Sequence, residues 1–448
     1  MRRLLPLFVG LFVTTAAQAE WKEAQSRHFR VYSQGSEADL RESITQLEKY
    51  EFMLRTVSGS SAKASPVRLK VYLMPTMRDV QSTMGIGGSD GVAGYYTASS
   101  RGPIAVSTRK GYKGGSQTVT RDGARNGGEL GPQAVLLHEY AHHFMFQHFP
   151  AAYPSWYSEG FAEYYGTTRF LPGNVIEVGN PAEHRYRSFA QNEWLPLDRL
   201  LTAKSYSDVG GDIGRLYAEG WLLVHYLHNS PARKGQLKTY LSQLNQGTDL
   251  RRATDLAFGV GARELDAELR RYARQGRINA LSLPFKPIDV GTIAVRTLSP
   301  AEDALIESDI SLGRGVYVSE AKRFAASVRS AARQFPNDAY ALGLLAEAER
   351  AAGNEAEASA AVDAWLVADP ASARAKTIRA QLALDRLQAS KSTDSRAWES
   401  VRAPILAAHK AQPNDAYILE AYYDSFAAQR LAPPLLAQNA LYLSLIHI

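Results

Sequence analysis

The chain has 448 residues, 45% of them hydrophobic and 21% charged, which is the composition of a globular protein of two or three domains and excludes a disordered or fibrous one. Its formal net charge is +6, but the basic residues are scattered with no Lys/Arg run, so no nucleic-acid partner is indicated. It has no cysteine, which excludes disulfides, thiolate metal sites, cysteine nucleophiles and lipidation at a cysteine.

Residues 1–19 have the layout of an export signal: Arg2 and Arg3 as the basic head, an apolar stretch over 4–13 too short to span a bilayer, and the small-residue cleavage site Ala17-Gln18-Ala19. Cleavage would start the mature chain at Glu20, lower the formal charge to +4, and leave a periplasmic or secreted protein without a transmembrane segment. From 20 to about 130 the pattern is mixed α and β. Residues 28–33 (HFRVYS) and 67–73 (VRLKVYL) alternate like strands, and 37–57 have helical periodicity. Residues 91–96 (GVAGYY) and 103–107 (PIAVS) predict a strand pair, and the Gly-, Lys- and Arg-rich 109–128 a loop. Between 131 and about 280 helices dominate, with apolar spacings of three and four near 132–148, 155–166, 215–229 and 232–245. The Pro- and Gly-punctuated 284–315 predicts a linker that closes a first domain, 20–283.

Past 316 the chain is Ala-rich and helical, and it repeats. Pro336-Asn337-Asp338-Ala339, Asp369-Pro370-Ala371 and Pro413-Asn414-Asp415-Ala416 recur as punctuation, and the first two prolines are 34 residues apart. Gly343, Ala346, Gly353 and Ala358 lie between them, where paired helices would have to approach closely. Residues 316–439 thus resemble a degenerate tetratricopeptide array, which implies a surface for a protein partner; a generic Ala-rich bundle is the other reading. The polar insert 390–395 stretches the next period to 43. The terminal LYLSLIHI is apolar and uncapped where a last repeat would present a polar face, so 440–448 are set aside as unrepresentative.

Four of the ten histidines fall in HEYAHHFMFQH, residues 138–148. On a helix, positions i and i+4 are offset by about 40° and one turn, so His138 and His142 point the same way. Two imidazoles so placed can hold Zn²⁺ at roughly 2.0–2.1 Å, and Glu139 flanks the pair as a candidate general base. His143 lies about 100° further round and cannot share the metal; it would touch a neighbouring helix or solvent. His148 lies near the helix end, where a cation suits the dipole. A catalytic zinc needs a third ligand, and the stretch Pro154-Ser155-Trp156-Tyr157-Ser158-Glu159-Gly160-Phe161-Ala162-Glu163-Tyr164 offers two carboxylates on one helical face.

HExxH followed by W-x-x-E-G-x-A-E-Y resembles the gluzincin metallopeptidases, the group of thermolysin and the zinc aminopeptidases. The resemblance covers about 20–280 and implies an α+β metallopeptidase domain, with a mixed sheet and active-site helices, ahead of the all-α repeats. It implies Glu159 as third ligand and Glu163 as the carboxylate supporting a ligand histidine, with the swapped assignment open on spacing. Leu216-Tyr217-Ala218-Glu219-Gly220 resembles the helix carrying the catalytic tyrosine of the aminopeptidases, which implies Tyr217 as oxyanion donor, against a plain packed aromatic. His225, eight residues on, is an alternative donor but suits the edge of a core. The family's edge strand implies substrate binding by strand addition at Gly94, Tyr95, Tyr96, Ile104, Ala105 and Val106; a plain glycine-containing strand is the rival. No G-x-M-E-N stretch is present, which argues against an aminopeptidase. The expectation is an exported zinc endopeptidase acting on a protein or peptide substrate, with one Zn²⁺ per chain; a retired peptidase fold that only binds is the alternative.

Overall fold

The computed structural model describes residues 20–61, 65, 67–85, 92–110, 131–149, 151, 153–182, 185, 194–203, 206–210, 213–275, 278–439 and 441. The expected export signal, nearly all of the glycine-rich loop and most of the terminal tail lie outside these residues.

The molecule is α+β. Strands β1 (Lys22–Gln25), β2 (Phe29–Ser33), β3 (Leu69–Met74), β4 (Gly94–Ser99), β5 (Gly102–Thr108) and β9 (Ala294–Thr297) form a six-stranded sheet in the order β4-β5-β3-β2-β1-β9. Strands β2, β3 and β5 run parallel; β4 and β1 are antiparallel to their neighbours, and β9 is antiparallel to β1. Alternation sends Phe29, Val31, Leu69 and Val71 to one face and Tyr32, Tyr72 and Met74 to the other. Both sets are buried, so both faces are covered and the fold is layered.

The first face packs against α1 (Glu37–Ser58) and α3 (Pro132–His148). Helix α1 is capped by the Ser36 side chain, which accepts from the Asp39 N–H, and buries Leu40, Ile44 and Leu47 at spacings of four and three. Helix α4 (Ser155–Gly166) packs on α3 and on α6 (Ile213–Asn229). Helices α5 (Leu197–Thr202), α7 (Gln236–Asn245), α8 (Leu250–Phe258) and α9 (Ala262–Ala273) complete this layer, with a small sheet of β6 (Arg169–Leu171), β7 (Val175–Val178) and β8 (Leu281–Pro284).

The second face packs against α2 (Met77–Thr83) and α10 (Pro300–Arg314), whose Ile306 and Ile310 meet Tyr72, Ile104 and Val106. The stretch expected as a linker is therefore partly sheet strand and partly sheet-covering helix. Its Pro300 stands at the first helical position, beside a capping box of Ser299 and Glu302. It is a start signal rather than a break.

Helices α11 (Ala321–Ala332), α12 (Ala339–Ala351), α13 (Glu355–Ala368), α14 (Ala373–Ala389), α15 (Ser395–Ala411) and α16 (Ala416–Ala428) follow as a helical region. Successive helices pack on each other, and so do α10 with α12, α12 with α14 and α14 with α16, as in stacked hairpins. The recurring proline punctuation precedes helix starts: Asp338, Ser372 and Asp415 cap α12, α14 and α16 through their side chains. Gly343 does allow a close approach, since a Cβ there would lie 3.0 Å from the Trp365 ring. Gly353 does not: its φ of 74° makes it a turn residue after α12. Among the described residues no helix is long and apolar enough to cross a membrane.

Candidate metal centre

Helix α3 begins with Pro132 at its first position and runs unbroken to His148, which sets His138 and His142 one turn apart. Helix α4 lies close across it: a Cβ on Gly166 would be 3.2 Å from the His138 Cα. The third side chain, Glu159, comes from the first turns of α4.

Three atoms converge. His138 Nε2 and His142 Nε2 are 3.2 Å apart, and Glu159 Oε2 lies 3.3 and 3.4 Å from them. In a tetrahedron, an edge of about 3.3 Å puts the centre about 2.0 Å from each vertex, a usual bond length to a small divalent ion such as zinc. His138, His142 and Glu159 can therefore hold a metal ion. Glu159 Oε2 is buried without a hydrogen bond from the described residues, whereas Oε1 accepts 2.6 Å from the Tyr206 hydroxyl. The atom left over is the one facing both Nε2 atoms.

The other ring nitrogens are oriented from behind. Ser158 Oγ is 3.3 Å from His142 Nδ1, and Glu163 Oε1 is 3.6 Å from His138 Nδ1. Glu163 is also gripped by Arg185, whose Nε and Nη2 lie 3.1 and 2.5 Å from Oε1. This separates the two carboxylates: Glu159 stands at the Nε2 vertex and Glu163 on the Nδ1 side.

The electrostatics favour a cation here. Glu139, Glu159 and Glu163 are all buried around the pair. Burial alone would push His138 down, but Glu159, Glu163 and Glu139 outweigh it and raise its pKa to about 9. Burial also raises Glu159, yet His142 and His138 hold it well below the usual carboxylate range. Glu139 goes the other way: burial raises it more than the two histidines and a backbone hydrogen bond from Tyr96 lower it.

Tyr217 joins the cluster, its ring stacked on His138 at 5.7 Å and beneath the Arg185 guanidinium at 4.5 Å. Burial, then Glu159, raise its pKa well above the ordinary value, so its hydroxyl stays protonated. Tyr206, from a short 3-10 turn (Tyr206–Val209), donates its hydroxyl proton to Glu159 and accepts from the Tyr217 hydroxyl. Tyr206 and Arg185 carry no periodicity or motif that marks them in the sequence.

The residues expected to bind substrate fall on two neighbouring strands, β4 and β5. Among the described residues strand β4 is one edge of the sheet, and it lies on α3, so close that a Cβ on Gly94 would meet Val135 at 2.5 Å and Glu139 at 3.3 Å. Tyr96 lies beside the centre: its backbone bonds to Glu139 and its hydroxyl is 3.2 Å from His143 Nδ1. Tyr95 points away, its hydroxyl 2.8 Å from Thr83 Oγ1. Ile104, Ala105 and Val106 cannot receive a peptide. They lie on β5, whose two edges are taken by β4 and β3, and all three are buried. His143 is held neutral by burial, with its pKa near 3. His148 departs from its expected role as a helix-end cation: burial lowers its pKa, and it sits beside Ser60. His225 faces Tyr272 at 2.8 Å, in the core rather than at the metal centre. No protein-family model matches the chain, and no curated protein matches it.

Proposed function

We propose that the chain is an exported zinc-dependent endopeptidase of gluzincin type, whose tetratricopeptide-like array recruits a substrate or partner. The observation that carries the reading is the triangle of His138 Nε2, His142 Nε2 and Glu159 Oε2, with Glu139 buried alongside. Zinc bound there supplies Lewis acidity to the scissile carbonyl and acidifies the attacking water. Glu139 is suited to the proton transfers because burial raises its pKa: it takes the proton from water as the C–O bond forms. It returns that proton to the leaving amine as the C–N bond breaks. The Tyr217 hydroxyl, kept protonated, donates to the carbonyl oxygen as charge develops on it. The outward-facing backbone of β4 can pair with an extended peptide, laying it across the centre.

Metal analysis of the purified protein should find one zinc per chain, lost in His142→Ala. Glu139→Gln should keep the zinc while chelator-sensitive cleavage of casein falls at least ~10²-fold. Equal inertness of wild type and Glu139→Gln on casein and on broad peptide libraries would leave a zinc-holding binding protein instead. Mass spectrometry of the exported protein should read an N-terminus at Glu20.

A further inference from the structure

A cavity of about 250 Å³ lies between the sheet and the stacked helices, sharing no lining residue with the metal centre. Arg30 on β2, Arg68 just before β3, Lys70 on β3 and Arg101 in the β4–β5 turn line it from the sheet side. Arg374 on α14 and Asp415, the cap of α16, line it from the helices. Arg30 and Lys70 are register partners on adjacent parallel strands, so their side chains leave the same face side by side.

These five cations are only partly answered. Asp309 pairs with Arg101 and, at 3.5 Å, with Lys70; Glu347 pairs with Arg101 and, at 2.9 Å, with Arg374. Asp415, the one acid among the described lining residues, accepts from the Ile418 N–H at 3.1 Å. Counting Asp309, Glu347 and Asp415 against the five cations leaves a net charge of +2. The Arg101 Nε is buried with no hydrogen-bond acceptor among the described residues, although both of its other nitrogens are ion-paired. Asp309 raises the pKa of Lys70, yet burial and the neighbouring Arg101, Arg374 and Arg30 outweigh it and lower it overall. A partly enclosed excess of positive charge with a free guanidinium donor is stabilised by an anion that takes several charge-assisted hydrogen bonds.

We propose that this cavity binds a small dianionic oxyanion of the phosphate class, gripped from the sheet by Arg30, Lys70 and Arg101 and from the array by Arg374. A dianion cancels the excess charge, and its oxygens match arginine's planar fork. Free phosphate and a small phosphate monoester share this chemistry. Because the oxyanion touches both the sheet and α14, its binding stabilises the two together.

The test is calorimetric titration of the full chain with inorganic phosphate and, separately, with glycerol 3-phosphate, at an ionic strength fixed with chloride. The expected result is saturable one-to-one binding, weakened at least tenfold in Arg30→Met and Lys70→Met and kept within a few-fold in Lys70→Arg. His142→Ala, which disables the metal centre, should bind as wild type does, so this proposal stands or falls apart from the peptidase reading. Tighter binding of the monoester would identify a small phosphorylated ligand, and tighter binding of phosphate the free anion. Absence of saturable heat with both probes overturns the proposal, as does wild-type affinity in both methionine variants or loss of binding in His142→Ala.

Discussion

Two tyrosine hydroxyls sit beside the Glu159 carboxylate, and their partners give them different work. Tyr206 donates to Glu159 Oε1, fixing the carboxylate so that Oε2 faces the imidazoles. Tyr217 stacks on His138 and lies under the Arg185 guanidinium, and its hydroxyl donates to Tyr206; in the proposed mechanism that proton would turn to a substrate oxygen. Under the proposed mechanism Tyr217→Phe should lower kcat by ~10²-fold with metal affinity unchanged, the usual cost of losing one oxyanion donor. Tyr206→Phe should weaken metal affinity by about 10- to 100-fold and affect kcat less once zinc is saturating. Competition titration against a zinc chelator, with kcat measured on a fluorogenic peptide, separates the two; identical profiles would sink the division of roles. His138 and His142 are legible in the sequence because helical periodicity points them the same way, whereas spacing leaves Glu159 and Glu163 as alternatives between which the family resemblance chooses. Tyr206 reaches the centre from a four-residue 3-10 turn, too short for a periodicity to be read, and no motif marks Arg185.

At the scale of elements, the centre depends on how closely α4 and α6 cross. A Cβ on Gly160 would lie 2.4 Å from the Gly220 carbonyl oxygen, and one on Gly220 2.6 Å from that of Trp156. Backbone meets backbone there, so neither side can yield as a flexible side chain would. Gly160→Ala gains about 1 kcal/mol of helix propensity but forces the helices apart, which costs typically ~1–3 kcal/mol or more. Its neighbour is Glu159, so the variant should show both a lower melting temperature and weaker zinc binding; an unchanged melting temperature would mean the crossing relaxes freely. The same helix α6 carries a pH-dependent load. His225 faces Tyr272 from α9, Tyr164 from α4, and His228 and Asn229 on its own helix. Burial holds its pKa down at about 4, whereas the unfolded chain titrates near ~6.5. The unfolded state therefore binds the extra proton first. Stability from this group is whole above about pH 6.5 and falls as the pH drops towards 4, by up to roughly 3 kcal/mol. Urea unfolding at pH 7.5 and pH 5 should show a smaller acid loss in His225→Gln than in wild type; parallel losses would assign the acid sensitivity elsewhere.

On the scale of the whole molecule, the sequence pattern finds the elements better than it finds how they are joined. Strands β2 and β3 and helices α1 and α3 announce themselves by alternation or by three-and-four spacing. Strand β9 is four residues, AVRT, mostly exposed at a sheet edge, and carries no such mark. Proline and glycine punctuate linkers and helix starts alike, so 284–315 reads as a boundary until Pro300 is seen opening α10 on the sheet. The consequence is that the helical region is not an appendage. The Leu298 N–H bonds to the Trp21 carbonyl at 2.9 Å, the Trp21 N–H to Asp303 at 2.7 Å, and the Tyr72 hydroxyl to Asp309 at 3.1 Å. Helix α10 covers Tyr32, Tyr72, Ile104 and Val106, each worth about 1.5–3 kcal/mol when fully buried. Their sum rivals the ~5–15 kcal/mol that holds a typical domain together. A chain of residues 20–283, which ends at the expected boundary, should therefore aggregate or melt without a cooperative transition. A chain of residues 20–318 retains β9 and α10, and should melt cooperatively and still bind zinc, at a somewhat lower temperature than the full protein because Glu347 no longer pairs with Arg101. Calorimetry on the two truncations decides it: a cooperative melt of 20–283 at the full-length temperature would show that the sheet does not need the helix that covers it.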